Sequence, residues 1–392
     1  MRHPYSLRGL LLYFLKLGTT GFGGPIPLAG YMERDLVDAR GWVSKDEFLR
    51  GLAFSKMAPG PFATQLALYI GYIRSGIFGA SAVAVAFIAP SFLMVVGLAI
   101  IYQAYGEMHW MQATFNAVSA AVLGIMARSG YKLALTAVGK EKILWTIYLA
   151  AAITAVALEN EPIWLLLAAG ILSMLLTLRP KPKDITAKLF SILPMILLTS
   201  RTRISDILSR YKFAVITIAV TPSFFDLFWY FIQAGSVVFG SGMAIVPFLY
   251  GGVVQGHHWL TQRQFLDAVA VSMITPGPLV ITTAFIGYLV ASLPGAIAAA
   301  LGVFLPVYLF VIILTPLYER LAKSTAFQSF IKGVTAAATG AIAAAIINLA
   351  RHSTMGPIEI ALALAALVLT FIWKIPEPII ILAAGVIGIV FL

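Results

Sequence analysis

Four short segments hold the residue types and spacings most able to do chemistry. They are Gly21-Phe22-Gly23-Gly24-Pro25, Ala58-Pro59-Gly60-Pro61, Phe239-Gly240-Ser241-Gly242 and Thr275-Pro276-Gly277-Pro278. Proline removes a backbone donor and ends the helix before it, and glycine permits a sharp change of direction. Proline also suits the first turn of the next helix. Each segment is therefore expected to end one half-helix and start another. A new helix N-terminus presents free N–H groups and roughly half a positive charge, which favours anions. Four such termini supply on the order of two positive charges. That suits a doubly charged oxyanion, without the desolvation cost of several buried lysines. A single break is read first as a kink that lets helices pack. Breaks at matched places in two halves point instead to a transport site.

Side chains near the breaks extend this expectation. Lys16 lies inside the first apolar run, and Lys56 precedes Pro59 by three residues. Their counterparts later in the chain are Gln233 and Met273, so either cation serves one half only. An intramembrane lysine is a functional candidate, although Lys16 can equally snorkel to the interface. Thr64, Gln65, Ser272, Thr275, Thr282 and Thr283 are potential donors to oxyanion oxygens. The expected binding set is Lys16, Gly23, Gly24, Lys56, Pro59, Gly60, Pro61, Thr64, Gln65, Gly240, Ser241, Gly242, Thr275, Pro276, Gly277, Pro278 and Thr282. No catalytic residue, metal site or cofactor is expected. The sequence lacks a P-loop and an HExxH motif. His257 and His258 are adjacent loop residues that seldom converge on one metal. Arg128 reads as a topology anchor. Gly333, Ala337, Ala341 and Ala345 recur every four residues, as in close helix packing.

The elements that position these residues are apolar. Of 392 residues, 60% are hydrophobic and 11% charged, with a mean hydropathy of +0.93. A soluble domain carries about 25% charged residues, so this chain cannot cover a water-facing surface. Runs such as Gly76–Ile101, Ala113–Ala127, Ile143–Leu158, Ile163–Leu178, Ala291–Leu314, Val334–Ala350 and Ile358–Trp373 approach or exceed the roughly 20 residues of a spanning helix. They do not alternate, which argues against a barrel. The net charge of +11 sits mainly in short loops, where it sets orientation, so no nucleic acid partner is expected. The absence of cysteine excludes structural disulfides and thiolate metal sites. The first residues lack a cleavable signal pattern, and the first apolar run is expected to stay in the membrane.

The chain repeats itself. Tyr13–Gly24 (YFLKLGTTGFGG) aligns with Tyr230–Ser241 (YFIQAGSVVFGS). The same register pairs Trp42 with Trp259, Phe48 with Phe265, and Pro59-Gly60-Pro61 with Pro276-Gly277-Pro278. After a one-residue slip, Gly71 meets Gly287, Gly79 meets Gly295, Pro90 meets Pro306 and Gly124 meets Gly340. The division is residues 1–178, a basic cytoplasmic linker at 179–212, and residues 213–392. Basic residues place Arg179–Lys212 and Arg128–Lys142 inside, with Glu107, Glu159 and Glu161 outside. Arg320, Lys323 and Lys332 put the counterpart of the Glu107 loop inside, so corresponding loops face opposite sides. The expected fold is an all-α polytopic membrane protein. It has about 10–13 transmembrane or re-entrant helices in two homologous, inverted-topology repeats with broken helices.

These residues resemble the chromate ion transporter family in its long form with two fused halves. The resemblance runs from about Tyr13 to Arg351. It is carried by Phe22–Pro25, the Trp42 loop, Pro59–Tyr72, Phe87–Phe92, Phe239–Leu249, His258–Pro278 and Phe285–Ala296. It implies export of chromate from the cytoplasm across a bacterial-type inner membrane, driven by the proton motive force, and hence chromate resistance. Expected partners are chromate or sulfate, protons as the coupling ion, the lipid bilayer and a second copy in a homodimer. The sequence departs from the family at Leu28, where members often carry a histidine. An anion channel, a transporter for another oxyanion and a membrane enzyme acting on lipid phosphate are the rival readings.

Overall fold

The computed structural model describes residues 5–22, 25–57, 60–106, 108–158, 163–178, 222–237, 239–240, 242, 245–318, 323–352, 356–373 and 375–391. Gly23, Gly24, Pro59 and Ser241, the acidic markers Glu107, Glu159 and Glu161, Arg320 and the linker 179–212 lie outside them.

The first half contains α1 (Leu7–Thr20), α2 (Pro25–Met32) running into a wide π-turn (Glu33–Ala39), α3 (Lys45–Met57), a two-residue strand β1 (Gly60–Pro61), α4 (Phe62–Tyr105), α5 (His109–Val138), α6 (Lys142–Leu158) and α7 (Ile163–Leu178). The second half repeats the order of the helices, with its strand placed after the first helix. It contains α8 (Phe224–Val237), β2 (Phe239–Gly240), α9 (Ile245–Leu249) with a π-turn (Tyr250–Gly256), α10 (Gln262–Ile274), a 3-10 turn (Leu279–Ile281), α11 (Thr282–Leu314), α12 (Thr325–His352), α13 (Pro357–Val368) with a π-turn (Leu369–Trp373), and α14 (Glu377–Phe391).

Local sequence sets the helix starts, and it does so at matched positions. Ser44 and Glu47 exchange hydrogen bonds at the start of α3. Thr261 and Gln264 do the same at the start of α10, a reciprocal capping box. Ser223 and Asp226 form a similar pair ahead of α8. In the Trp42 loop, Arg40 stacks on Trp42, its guanidinium 4.5 Å from the ring centre. Its counterpart, His257, stacks on Trp259 at 4.4 Å. His257 thus occupies the place of a packing cation, and burial holds it below the ordinary histidine range. No cluster of metal-ligating residues occurs among the described residues.

Helix α4 has 44 residues and is not one straight rod. Straight, it would reach about 66 Å, twice the hydrocarbon thickness. It turns back at Ser75 (φ −149°, ψ 30°) and Gly76 (φ 58°, ψ −143°). Gly71 then lies against Gly79, so that a Cβ on Gly71 would sit 2.6 Å from the Gly79 carbonyl oxygen. In a continuous helix these residues would be about 12 Å apart. Helix α11 folds in the same way at Ala291 and Ser292, and brings Gly287 against Gly295. Each hairpin packs on the first helix of its own half, α4 on α1 and α11 on α8, and the two hairpins pack on each other.

The ends of the halves are exchanged. Helix α5 packs on α13 and α14, whereas α12 packs on α6 and α7. Small residues make these approaches close: Gly124 faces the Ala363 carbonyl, Gly340 faces Tyr148, and Gly333 faces Ala169. Ala337 packs with Leu144, Ile147 and Ala151, and Ala341 with Ala155, so the small-residue stripe is a packing surface. Leu12, Phe78, Val85, Leu93, Ile372 and Val386 point outward, giving the apolar exterior a bilayer requires. Among the described residues, four helices are long and apolar enough to cross a membrane: Phe62–Tyr105, His109–Val138, Leu279–Leu314 and Thr325–Arg351. The chain is an all-α, multi-pass membrane protein.

Candidate functional site

The interrupted segments meet in pairs, and each pair joins the two halves. Strand β1 lies parallel to β2, with Gly60 opposite Phe239 and Pro61 opposite Gly240. The related pair is closed by the Gly277 N–H, which donates to the Gly21 carbonyl at 2.8 Å. Helices begin just beyond these crossings: α2 at Pro25, α4 at Phe62 and the turn leading to α11 at Leu279. Gly242 lies against Leu279, and the Leu279–Ile281 turn packs on α4.

Backbone conformation demands glycine at both proline-flanked turns. Gly60 has φ +133° and Gly277 has φ +105°, a region side chains avoid. Space is also short. A Cβ on Gly60 would lie 2.7 Å from Gln65 Nε2 and 3.1 Å from Val307. One on Gly277 would collide with Ser91 Oγ, which itself donates to the Gly18 carbonyl at 3.1 Å.

Not every expected donor is open to an anion. The Gly277 N–H is committed to Gly21, so this glycine shapes the turn and does not itself offer a proton. Ser272, Thr275, Thr282 and Thr283 donate to the carbonyls of Val269, Val271, Leu279 and Val280. An oxyanion only accepts hydrogen bonds, and each of these hydroxyls has spent its one proton. Thr64 differs. It is fully buried in the first turn of α4, and its Oγ1 has no hydrogen-bond partner. Gln65 is equally buried, with its amide nitrogen toward Gly60. The first-turn N–H groups of a helix also lack intrahelical acceptors. The donors here therefore concentrate at the start of α4, in the first half.

The two lysines separate. Lys56 is in the last turn of α3, four residues before Gly60, and is exposed. Lys16 lies on the exposed face of α1 beside Leu12 and Leu15, and its position is that of a lysine on the outer surface. Arg128 and Lys132 on α5 lie within electrostatic reach of Glu377 at the start of α14. Leu28 is buried against α1, close to Gly21, and fills core space. Sequence reasoning passed over Asp267, a carboxylate on α10 that is 1% exposed. The signal was available: one acidic residue within the apolar stretch that leads to Thr275-Pro276-Gly277-Pro278.

Residues 8–174 and 225–389 match the family described as Chromate transporter, one stretch in each half. The chain is 48% identical over 396 residues to a "Probable chromate transport protein" of Synechococcus elongatus, covering 99% of this chain and 97% of the relative. It is 47% identical to a "Chromate transport protein" of Cupriavidus metallidurans, covering 98% and 93%. A "Chromate transport protein" of Pseudomonas aeruginosa is 29% identical, covering 98% and 92%. No solved structure matches. The family and these relatives are transporters and not enzymes. With both halves matched and relatives aligned over nearly their whole lengths, the chain belongs to the chromate transporter family.

Proposed function

We propose that the protein is a secondary transporter that exports chromate from the cytoplasm across the bacterial inner membrane, and carries sulfate as a dianion of similar shape. The anion sits at the crossings, against the first turn of α4. Thr64 and the adjacent N–H groups are its donors, Gly60, Pro61, Gln65, Gly277 and Pro278 are its shaped walls, and Lys56 is the nearby cation. Chromate is the substrate in the names of the relatives. The observation that carries the site is the buried, unpartnered Thr64 hydroxyl at a helix start four residues after Gly60. A buried donor without an acceptor costs about 1–3 kcal/mol, which an anion would recover.

The two halves are read as oppositely oriented in the membrane. Lys332, near the start of α12, pairs with Glu141, just past the end of its counterpart α5, at 2.6 Å. Ser81, early in the second arm of α4, lies 2.5 Å from Tyr308, late in the second arm of α11. Both contacts run counterpart helices in opposite directions, as alternating access between inverted repeats requires.

The test is uptake of labelled chromate and labelled sulfate by vesicles holding the purified full chain. Wild-type vesicles accumulate chromate above protein-free vesicles, and unlabelled sulfate competes. Thr64→Val, which keeps shape and removes the hydroxyl, lowers chromate affinity with folded yield retained. Wild-type vesicles no better than protein-free ones would end this reading.

A further inference from the structure

Asp267 lies outside the crossings and has no part in anion binding as described above. Its Oδ2 accepts from Tyr102 Oη at 2.6 Å, and its Oδ1 accepts from Ser119 Oγ at 3.2 Å. Three elements meet there: the end of α4, the middle of α5, and α10. The first two belong to one half and the third to the other. The ring of Tyr102 is packed between Phe115 and Phe285, at 5.2 and 5.5 Å. The position is not a relic of the repeat, because its counterpart is Arg50, which is exposed.

No ion pair involves Asp267 among the described residues. Arg263, one turn earlier on α10, is the charged group that acts on it from its own helix. The other charged or titratable groups on the packed helices, Arg74 of α4, His109, Arg128 and Lys132 of α5, and Glu377 of α14, form no ion pair with it. Arg74 of α4 donates to the Tyr5 carbonyl. Arg128 and Lys132 of α5 lie within electrostatic reach of Glu377 of α14. Helix α11 has no acidic or basic residue, and Tyr250 in the neighbouring π-turn donates to Gln262.

A carboxylate in this setting has two states with opposed demands. Ionised, it accepts from both hydroxyls but leaves a buried charge without an ion-pair partner in a low dielectric. Protonated, it is neutral, but one of its oxygens has become a donor. The protonated oxygen is then a weaker acceptor and carries a proton that needs an acceptor of its own. Protonation therefore weakens one of the two links between the halves, or turns it round. Helix α10 ends at Ile274, and its next residues carry Gly277, bonded to Gly21 at the second crossing. A change at Asp267 therefore acts on the helix that holds one side of the anion site. Ionisable groups within membrane segments commonly serve such relays.

We propose that Asp267, latched by Tyr102 and Ser119, binds the proton whose movement is coupled to that of the anion. The proton adds to one Asp267 oxygen to give the neutral acid, and its departure restores the carboxylate. No other bond is made or broken. Asp267 is the proton-binding group, and Tyr102 and Ser119 are positioning residues. This inference rests on the transport reading above.

The test uses the full chain in vesicles with the membrane potential clamped, and two assays. Counterflow exchanges labelled for unlabelled chromate and needs no net proton movement. Accumulation is driven by an imposed pH gradient. The wild type performs both. Asp267→Asn keeps counterflow, while gradient-driven accumulation falls to the protein-free background. Tyr102→Phe removes a donor to the carboxylate and eases protonation, so its pH–rate profile moves up by about one pH unit. Ser119→Ala moves it the same way by less. Gradient-driven accumulation by Asp267→Asn would overturn the proposal, as would equal loss of both assays at wild-type folded yield. Should the Asn variant not fold, an unshifted profile in Tyr102→Phe overturns it. Wild-type counterflow without any response to the gradient refutes the coupling alone, whereas absent wild-type counterflow refutes the transport reading itself.

Discussion

The N–H of Gly277 donates to the carbonyl of Gly21 at 2.8 Å, joining a proline-flanked turn of one half to the glycine-rich break of the other. The pairing of Gly60 with Phe239 is its counterpart. An anion site formed by broken helices must still satisfy the backbone exposed by the breaks. Here part of that backbone is satisfied by the opposite half.

Substitution at the turn glycines tests that arrangement. Gly60→Val and Gly277→Val are expected to abolish chromate transport in vesicles while inserted, folded protein is still recovered. Alanine is expected to be nearly as damaging, because both positions have positive φ and a close neighbour. Folded yield in detergent, measured beside transport, separates a site defect from a failure to fold. Normal transport by both valine variants would refute the assignment.

The lysines are expected to differ. Lys56→Gln raises the half-saturating chromate concentration by about threefold, a modest effect because the side chain is exposed and solvent screens it. Lys16→Gln leaves it unchanged, because Lys16 lies on the outer face of α1. Concentration-dependent uptake at matched protein content measures both. A larger loss from Lys16 than from Lys56 would move the site toward α1.

Orientation is open to a direct measurement, since the chain has no cysteine. Single cysteines introduced in the loops at Gly41 and His258, beside Trp42 and Trp259, should react with an impermeant reagent from opposite faces of the membrane. Reaction of both from one face would exclude inverted repeats.

The helical hairpins make a stability prediction. Gly76 and Ser292 adopt the same backbone conformation, φ near +55° with ψ near −145°, which is costly for any residue but glycine. Ser292→Gly is therefore expected to stabilise the folded protein by about 1 kcal/mol, and Gly76→Val to destabilise it by at least about that amount. Thermal unfolding in detergent reads both. A lower midpoint for Ser292→Gly would show that the hydroxyl matters more than the backbone.

Much of this protein was legible in its sequence because the governing physics is local. Apolar runs too long and too poor in charge for a soluble fold require a bilayer, and proline and glycine act on the backbone where they stand. The helix ends near Pro25, Pro61 and Pro278 follow from that, as does the repetition of the same elements in both halves. The capping pairs Ser44–Glu47 and Thr261–Gln264 are equally local, and their spacing could have marked two more helix starts. Other features depend on what is brought near in space. Only the packed structure decides that Gly60 meets Phe239, that α5 rests on the far half's last two helices, and that Lys16 faces outward. It also decides which hydroxyls remain available. Thr282 donates to the Leu279 carbonyl in its own turn and Thr64 has no such partner, a difference that residue type does not encode. Asp267 makes the same point: an acidic residue in an apolar helix is visible in the sequence, but its partners, Tyr102 and Ser119, lie 165 and 148 residues away along the chain and come together only through tertiary packing.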